Sequence, residues 1–442
     1  MSEATQATQR GPGDQNPIAA LEASAVSIGE IVAYICKAIS DGSRLGTASA
    51  TPAPASKYRA LIVAPVYKNH PGWSELESTA HDVMLVHKML GKSIRWGYEA
   101  KNIRVLCDVC GGYYGTNYPT RENILSSLQW LTENTRKGDS RFLHFSGHGD
   151  RILQEKDTSQ AKQARRVMTG GYSFPGDYER YVPTREPVRI SKQTVHDSQL
   201  AYYNEAIITR YDPTGVAGSE IEASQIMDKE LNELLSNLPP GSHLTCIMDC
   251  CASGRMLYNN TKLRGGGFRG RMSTNAMATE QPPLDALIFS APISNVIAES
   301  TQEAPASPIA VVLQTAKRTF SGVLFPPKTV MTEDIPQRER QMDHIQARTF
   351  VWTGCHQRQE STVFEKYNSG LLTRVFTDTF DVHFDEIKAK QMSYDTLFGQ
   401  VSKKVNAQAF TTGSLQFVQL WTSIQNTNEY QVDVLLQSPV AL

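Results

Sequence analysis

The segment Phe142-Leu143-His144-Phe145-Ser146-Gly147-His148-Gly149 and its downstream counterpart Leu244-Thr245-Cys246-Ile247-Met248-Asp249-Cys250-Cys251 decide how the chain is read. Each opens as a short apolar run, the pattern of a strand buried in a parallel sheet. One ends at a histidine between two glycines, the other at a cysteine pair. In open α/β sheets chemistry gathers outside the carboxyl ends of the strands. His148 and Cys251 both follow such ends.

Outward from these segments the chain alternates strand and helix. Apolar, β-branched runs predict strands at 60–64, 103–107, 286–290 and 349–353. Helical spacing is seen in Val83, Val86, Met89 and Leu90, and again in Ile124, Leu125, Leu128 and Leu131, where Thr120 supplies a cap. Further helices are expected at 228–238, 309–315, 370–380 and 394–405. This alternation predicts an α/β fold with a largely parallel central sheet flanked by helices on both faces.

Residues 1–57 differ in composition and read as an N-terminal extension, with 1–16 and 41–57 as linker. Between these, Leu21, Ala25, Ile28, Val32, Ile35 and Ile39 form one apolar stripe, and Asn16-Pro17 reads as the helix start. The stripe suits either packing on the main domain or binding a partner. The main domain is expected over 58–442, with polar surface insertions at 150–203 and 300–345 and a Gly/Arg-rich loop at 264–271.

The chain has 44 basic and 45 acidic residues among 442, which gives no electrostatic case for nucleic-acid or anionic-membrane partners. No apolar run is long enough for a membrane helix, and no basic, then apolar, leader opens the sequence. Seven irregularly spaced cysteines make a poor disulfide framework and suit a reducing, cytoplasmic setting. The Cys107-x-x-Cys110 pair lacks the further ligands of a zinc site and reads as a loop after a strand.

A cysteine acts as a nucleophile only as thiolate and needs a base nearby. The candidate base lies within His144–His148, and the candidate nucleophile lies in Asp249-Cys250-Cys251-Ala252-Ser253-Gly254. Glycines around both allow close approach of a substrate backbone. The backbone N–H groups of Gly149 and Cys251 are candidates to hold an oxyanion.

The sequence resembles the type I metacaspases, caspase-like cysteine peptidases, from about Arg59 to about Phe417. The likeness rests on the His and Cys motifs, Pro119-Thr120-Arg121-Glu122-Asn123-Ile124, Gln129-Trp130-Leu131, Gly138-Asp139-Ser140 and Thr353-Gly354-Cys355. It implies a caspase-haemoglobinase fold, His148 as base and Cys251 as nucleophile, with Cys250 pointing elsewhere and His144 packed. It also implies endopeptidase cleavage of protein or peptide substrates after Arg or Lys, through a pocket at Asp82, Ser146 and Asp249. A monomeric enzyme without an organic cofactor is expected.

Some positions depart from the family. Ala252 stands where His is usual, and Thr79 where Cys is usual. The resemblance puts an activating Ca2+ at Asn204, Asp228, Lys229 and Tyr258, where Asp228 is the one carboxylate and Lys229 would bring a cation; Glu205 and Asp212 lie close in sequence. The competing reading is a non-catalytic homologue acting as scaffold or regulator. Self-processing is expected at Lys162, Arg165, Arg166, Arg264, Arg269 or Arg271, taken as lying on flexible backbone.

Overall fold

The structure is a computed structural model describing residues 26–45, 56–92, 98–110, 115–154, 160–166, 172–173, 200–211, 224–251, 253–259, 261–265, 337–354, 363–364, 369–412, 418–423 and 429–441. Five strands, β1 (Tyr58–Ala64), β2 (Ile103–Cys107), β3 (Ser140–Ser146), β9 (His243–Asp249) and β11 (Arg348–Thr353), run parallel in the order β11-β9-β3-β1-β2. Beyond β11 the sheet continues antiparallel through β14 (Gln419–Thr422) to the edge strand β10 (Thr261–Gly265). Every residue of β2 is buried, and all but the first of β1, β3, β9 and β11. Parallel strands therefore read as continuous apolar runs.

Helices cover both faces. Helices α1 (Ile28–Asp41), α2 (Ser78–Lys92), α5 (Leu371–Val382), α6 (Tyr394–Thr412) and α7 (Glu429–Gln437) share one apolar core; α3 (Arg121–Thr132) and α4 (Asp228–Leu235) share the other. Buried arginines join α3 to the sheet. Arg141 Nε on β3 donates to the Leu131 carbonyl at 2.8 Å, and Arg59 on β1 donates to the carbonyls of Trp130 and Glu133. These are the carbonyls that a helix C-terminus leaves without partners.

Four expectations need correction. First, residues 150–203 are not simply a surface insertion. Their described ends build a second, antiparallel sheet of β4 (Gly149–Gln154), β5 (Lys162–Arg166), β6 (Tyr172–Ser173), β7 (Leu200–Ile208) and β8 (Gln225–Met227). The sequence hid it because Lys162, Asn204 and Glu205, polar residues, are what it buries. Second, Lys162 lies wholly inside, Arg264 lies on β10 paired with Asp395 at 2.7 Å, and Arg165 and Arg166 lie on β5. None of these four is on loop backbone; Arg269 and Arg271 lie outside the described residues, as do the 286–290 strand and the 309–315 helix.

Third, α1 begins at Ser27, which caps it in a reciprocal box with Glu30. Its buried residues are Ile31, Ile35, Ala38 and Ile39, while Ile28 is half exposed. The stripe is thus rotated from the expected one, and the helix packs against α2 and β2. Fourth, Cys36 on α1 and Cys110 after β2 form a disulfide, Cα–Cα 6.0 Å, contrary to the expectation of unpaired cysteines. Cys107 stays free and buried.

The bridge closes a loop of 74 residues in sequence, a span for which chain entropy gives about 4 kcal/mol. Reductant should therefore lower the denaturant midpoint of the oxidised protein to that of Cys36→Ser. Mass analysis of non-reduced peptides should recover a Cys36–Cys110 linked pair; a midpoint indifferent to reductant would exclude the bridge.

Candidate active site

The site is set by the pairing of β3 with β9. Their register places Ser146 opposite Asp249, so the residues that follow leave the sheet side by side. The Gly147 N–H donates to the Asp249 carbonyl at 3.3 Å, continuing the contact one residue beyond the strand. A Cβ on Gly149 would lie 2.2 Å from the Cys251 carbonyl oxygen and 3.3 Å from Cys250 Sγ. Glycine is required there because the two oxyanion candidates, Gly149 and Cys251, approach at backbone distance.

The two cysteines differ in access. Cys250 is fully buried, whereas Cys251 is partly exposed. The histidines differ likewise. His144 is buried with Nε2 3.1 Å from Thr373 Oγ1, and burial pushes it down to about 3, so it stays neutral.

His148 stands between aromatic rings, with Tyr67 at 4.7 Å and Trp73 at 4.9 Å between centroids. Its Nε2 is 2.9 Å from the Ser74 carbonyl oxygen. A carbonyl only accepts, so Nε2 carries the hydrogen and Nδ1 is the basic nitrogen. Burial lowers the His148 pKa, opposed by the bond to Ser74. The backbone of His148 is pinned too: its N–H donates to Tyr67 Oη at 2.8 Å, and that hydroxyl donates to the Ile208 carbonyl at 2.8 Å. Tyr67 adopts φ 62°, a left-handed conformation rare for a bulky side chain, held by these contacts. Nothing in the sequence around Tyr67, Trp73 or Ser74 marks them for this role; they arrive on the connection between β1 and α2.

Asp82, Ser146 and Asp249 are brought together, but not as an open pocket. All three are buried. Ser146 Oγ donates to Asp82 Oδ2 at 2.6 Å, the Gly370 N–H to Asp82 Oδ1 at 3.0 Å, and the Thr373 N–H and hydroxyl to Asp249 Oδ2 at 2.8 and 2.9 Å. The first turn of α5 thus covers both carboxylates with its N–H groups, the end of a helix that attracts negative charge. Burial, and then the charge of Asp249, hold the Asp82 carboxyl well above the usual range. The three residues expected to form the acidic pocket thus lie together, with the carboxylates covered by Gly370 and Thr373, which the sequence did not single out.

The expected calcium positions also differ from their forecast. Asn204, Asp228 and Tyr258 do meet: Asn204 Nδ2 lies 2.8 Å and the Tyr258 hydroxyl 3.0 Å from Asp228 Oδ1. Lys229 is not the cation there, contributing its backbone N–H to Asp228 at 2.8 Å. The ammonium at this place belongs to Lys162, 2.9 Å from Asp228 Oδ2 and 2.7 Å from Glu205 Oε2. As arranged, these residues do not fit a metal ion, since a cation already stands among the oxygens. Among the described residues, no group of three or more His, Cys, Asp or Glu side chains is gathered for one. Asp212 lies outside the described residues. No described helix is long and apolar enough to cross a membrane.

Residues 58–180 and 195–259 match the family described as Metacaspase, peptidase C14 domain. The chain is 26% identical over 205 residues to inactive metacaspase-4 of Trypanosoma brucei brucei, covering 46% of this chain and 43% of that one. It is 26% identical over 202 residues to metacaspase-1 of Schizosaccharomyces pombe, 46% of this chain and 35% of that one. The matched stretch thus spans less than half of these curated relatives. A solved caspase-1 from Spodoptera frugiperda superposes over 83% of this chain and 84% of its own at 9% identity, with a TM-score of 0.33, too remote to add to the argument.

Tyr67→Phe removes one hydroxyl and leaves the His148 N–H and the Ile208 carbonyl without their present partner. The expected loss is about 2 kcal/mol of unfolding free energy with the fold retained, measurable by urea denaturation. A change within about 0.5 kcal/mol, the range of a neutral surface substitution, would remove Tyr67 from the account of how His148 is held.

Proposed function

We propose, from the match of residues 58–180 and 195–259 to the metacaspase family of peptidase C14 domains, that this chain is a metacaspase-like cysteine endopeptidase cutting after Arg or Lys. The observation that carries the reading is the β3–β9 register, which delivers His148 and the accessible Cys251 to one end of the sheet. His148 Nδ1 would take the Cys251 thiol proton, and the thiolate would attack the scissile carbonyl carbon. The backbone N–H groups of Gly149 and Cys251 would hold the oxyanion. On collapse, the C–N bond breaks, His148 returns the proton to the leaving amine, and a thioester remains. Water, deprotonated by His148, then releases the acid and restores the thiol.

Basic specificity is supported by the pairing of Asp82 with Asp249, two carboxylates that suit a guanidinium or an ammonium. Entry of that side chain would require Gly370 and the first turn of α5 to withdraw from them. The chemistry as written needs no metal or organic cofactor. A non-catalytic scaffold is the second reading, favoured by one observation: the carboxylate pair is closed off by α5.

A fluorogenic peptide ending in Arg separates the two. Turnover that Cys251→Ala abolishes and Cys250→Ala retains supports the peptidase; absence of turnover on Arg and Lys peptides supports the scaffold. His148→Ala should be as damaging as Cys251→Ala, and the double variant no worse, because members of a catalytic unit are not additive. The direction of the His148 shift also fixes a pH profile. With its pKa lowered by burial, the neutral imidazole persists below the ordinary value of about 6.5. The acid limb of kcat/KM should lie below that pH; a limb above about 7 would remove His148 as the free-enzyme base.

A further inference from the structure

We propose that the Lys162 ammonium is a built-in substitute for a divalent cation, setting the framework behind Cys251 without a metal. The proposal goes beyond the peptidase reading and stands whether or not the dyad turns over.

Lys162 lies on β5 and is fully buried. Its Nζ donates to Glu205 Oε2 on β7 at 2.7 Å, to Asp228 Oδ2 at the start of α4 at 2.9 Å, and to the Arg255 carbonyl at 2.8 Å. An ammonium has three hydrogens, and all three are used. Arg255 closes the short turn Ser253–Arg255 that follows the nucleophile. One charge thus joins the second sheet, α4 and the segment carrying Cys251.

The surroundings are richer in oxygen than one ammonium needs. Two carboxylates, a carbonyl and the Tyr258 phenol converge on this place, a hard-oxygen set of the kind that divalent ions take, with the Asn204 amide nitrogen against Asp228. The Asn204 amide nitrogen is directed at the Gln160 carbonyl (3.0 Å) and Asp228 Oδ1 (2.8 Å), so its oxygen is turned away from both. Among the described residues, Asn204 Oδ1 and Glu205 Oε1 are buried acceptors without a hydrogen-bond partner. Two buried carboxylates on one ammonium, with Glu205 Oε1 left without a hydrogen bond, mark a cradle with room for more positive charge than the ammonium supplies. The Lys162 contacts of 2.7–2.9 Å are hydrogen-bond lengths, longer than the 2.3–2.6 Å typical of calcium–oxygen bonds.

Tethering the cation changes how the site behaves. A bound ion leaves when its concentration falls; a side chain does not. Removing Lys162 would leave two buried carboxylates without their counter-charge, a strongly unfavourable state, together with a cavity the size of the lost stem. A small hard cation should then occupy it.

The test uses the full chain and needs no turnover. Thermal unfolding is followed in EDTA and in about 5 mM calcium, above the weakest ordinary protein sites, with terbium luminescence as the probe of binding. The unaltered protein should unfold at the same temperature in both. Lys162→Ala should lose on the order of 10 °C in EDTA, recover most of it in calcium, and give a saturable terbium signal that the unaltered protein lacks. Lys162→Met should lose stability without recovery, because its stem fills the space and brings no charge. Calcium-dependent stability in the unaltered protein would overturn the proposal. So would a Lys162→Ala chain that responds to calcium no better than Lys162→Met, including one that stays unfolded in both conditions.

Discussion

Everything chemical in this molecule hangs on one parallel ladder. The pairing of β3 with β9 runs from Ser140 opposite His243 to Ser146 opposite Asp249 without a break in register. A slip of one residue would turn every side chain of β9 to the other face. It would exchange Cys246 and Met248, which pack with α3 and α4, for Ile247, which packs with α2 and α5. The two apolar faces therefore fix the register, and the register fixes where residues 147–149 meet residues 250–251. The geometry of the candidate site is a consequence of core packing before it is a matter of the side chains it carries.

The ladder brings the segments together; polar contacts then orient them. His148 is fixed at its backbone by Tyr67 and at its ring by Ser74, both supplied by one connection after β1. A sidestep in that connection would leave the imidazole at the end of the right strand but with no defined tautomer. Its φ of 62° at Tyr67 is strain that the hydroxyl's two hydrogen bonds offset. This is the usual arrangement at working sites, where local strain persists because surrounding contacts over-determine it.

How much of this was legible depended on which property the sequence displays. The parallel strands were legible because buried strands are apolar runs; Ile103–Cys107 was expected and found with the same bounds. That residues 147–149 and 250–251 would leave the sheet side by side was legible from their positions after such runs. The second sheet was not, because β5 and β7 bury Lys162, Asn204 and Glu205, and a buried ion pair looks like a solvated surface in one dimension. The closure of Asp82 and Asp249 was not legible either. Gly370 lies far along the chain from both, and no local pattern announces that a helix will start against a carboxylate. The rotated face of α1 has a simpler cause: an evenly stepped stripe does not say where a cap will set the first turn, and Ser27 set it.

Among the described residues, Glu205 with Asp228 and Asp82 with Asp249 are buried carboxylate pairs, and their different counter-charges suggest different roles. Glu205 and Asp228 share the full charge of Lys162, which is covalently part of the chain. Asp82 and Asp249 face the N–H groups at the start of α5, a partial positive charge of roughly one half. Burial raises a carboxyl in each pair, Asp82 with the charge of Asp249 added and Glu205 against the opposing charge of Lys162. The Lys162 ammonium leaves that pair one charge short, but it stands between the two carboxylates with all three hydrogens engaged, so it bars another cation and the pair serves the framework. A pair balanced only by a helix end retains an attraction for one, provided the covering turn can move. On the proposed reading, the arginine or lysine of a substrate is the charge this second pair is short of. Specificity and closure would then be two states of one interaction, with the first turn of α5 and the substrate side chain competing for the same oxygens.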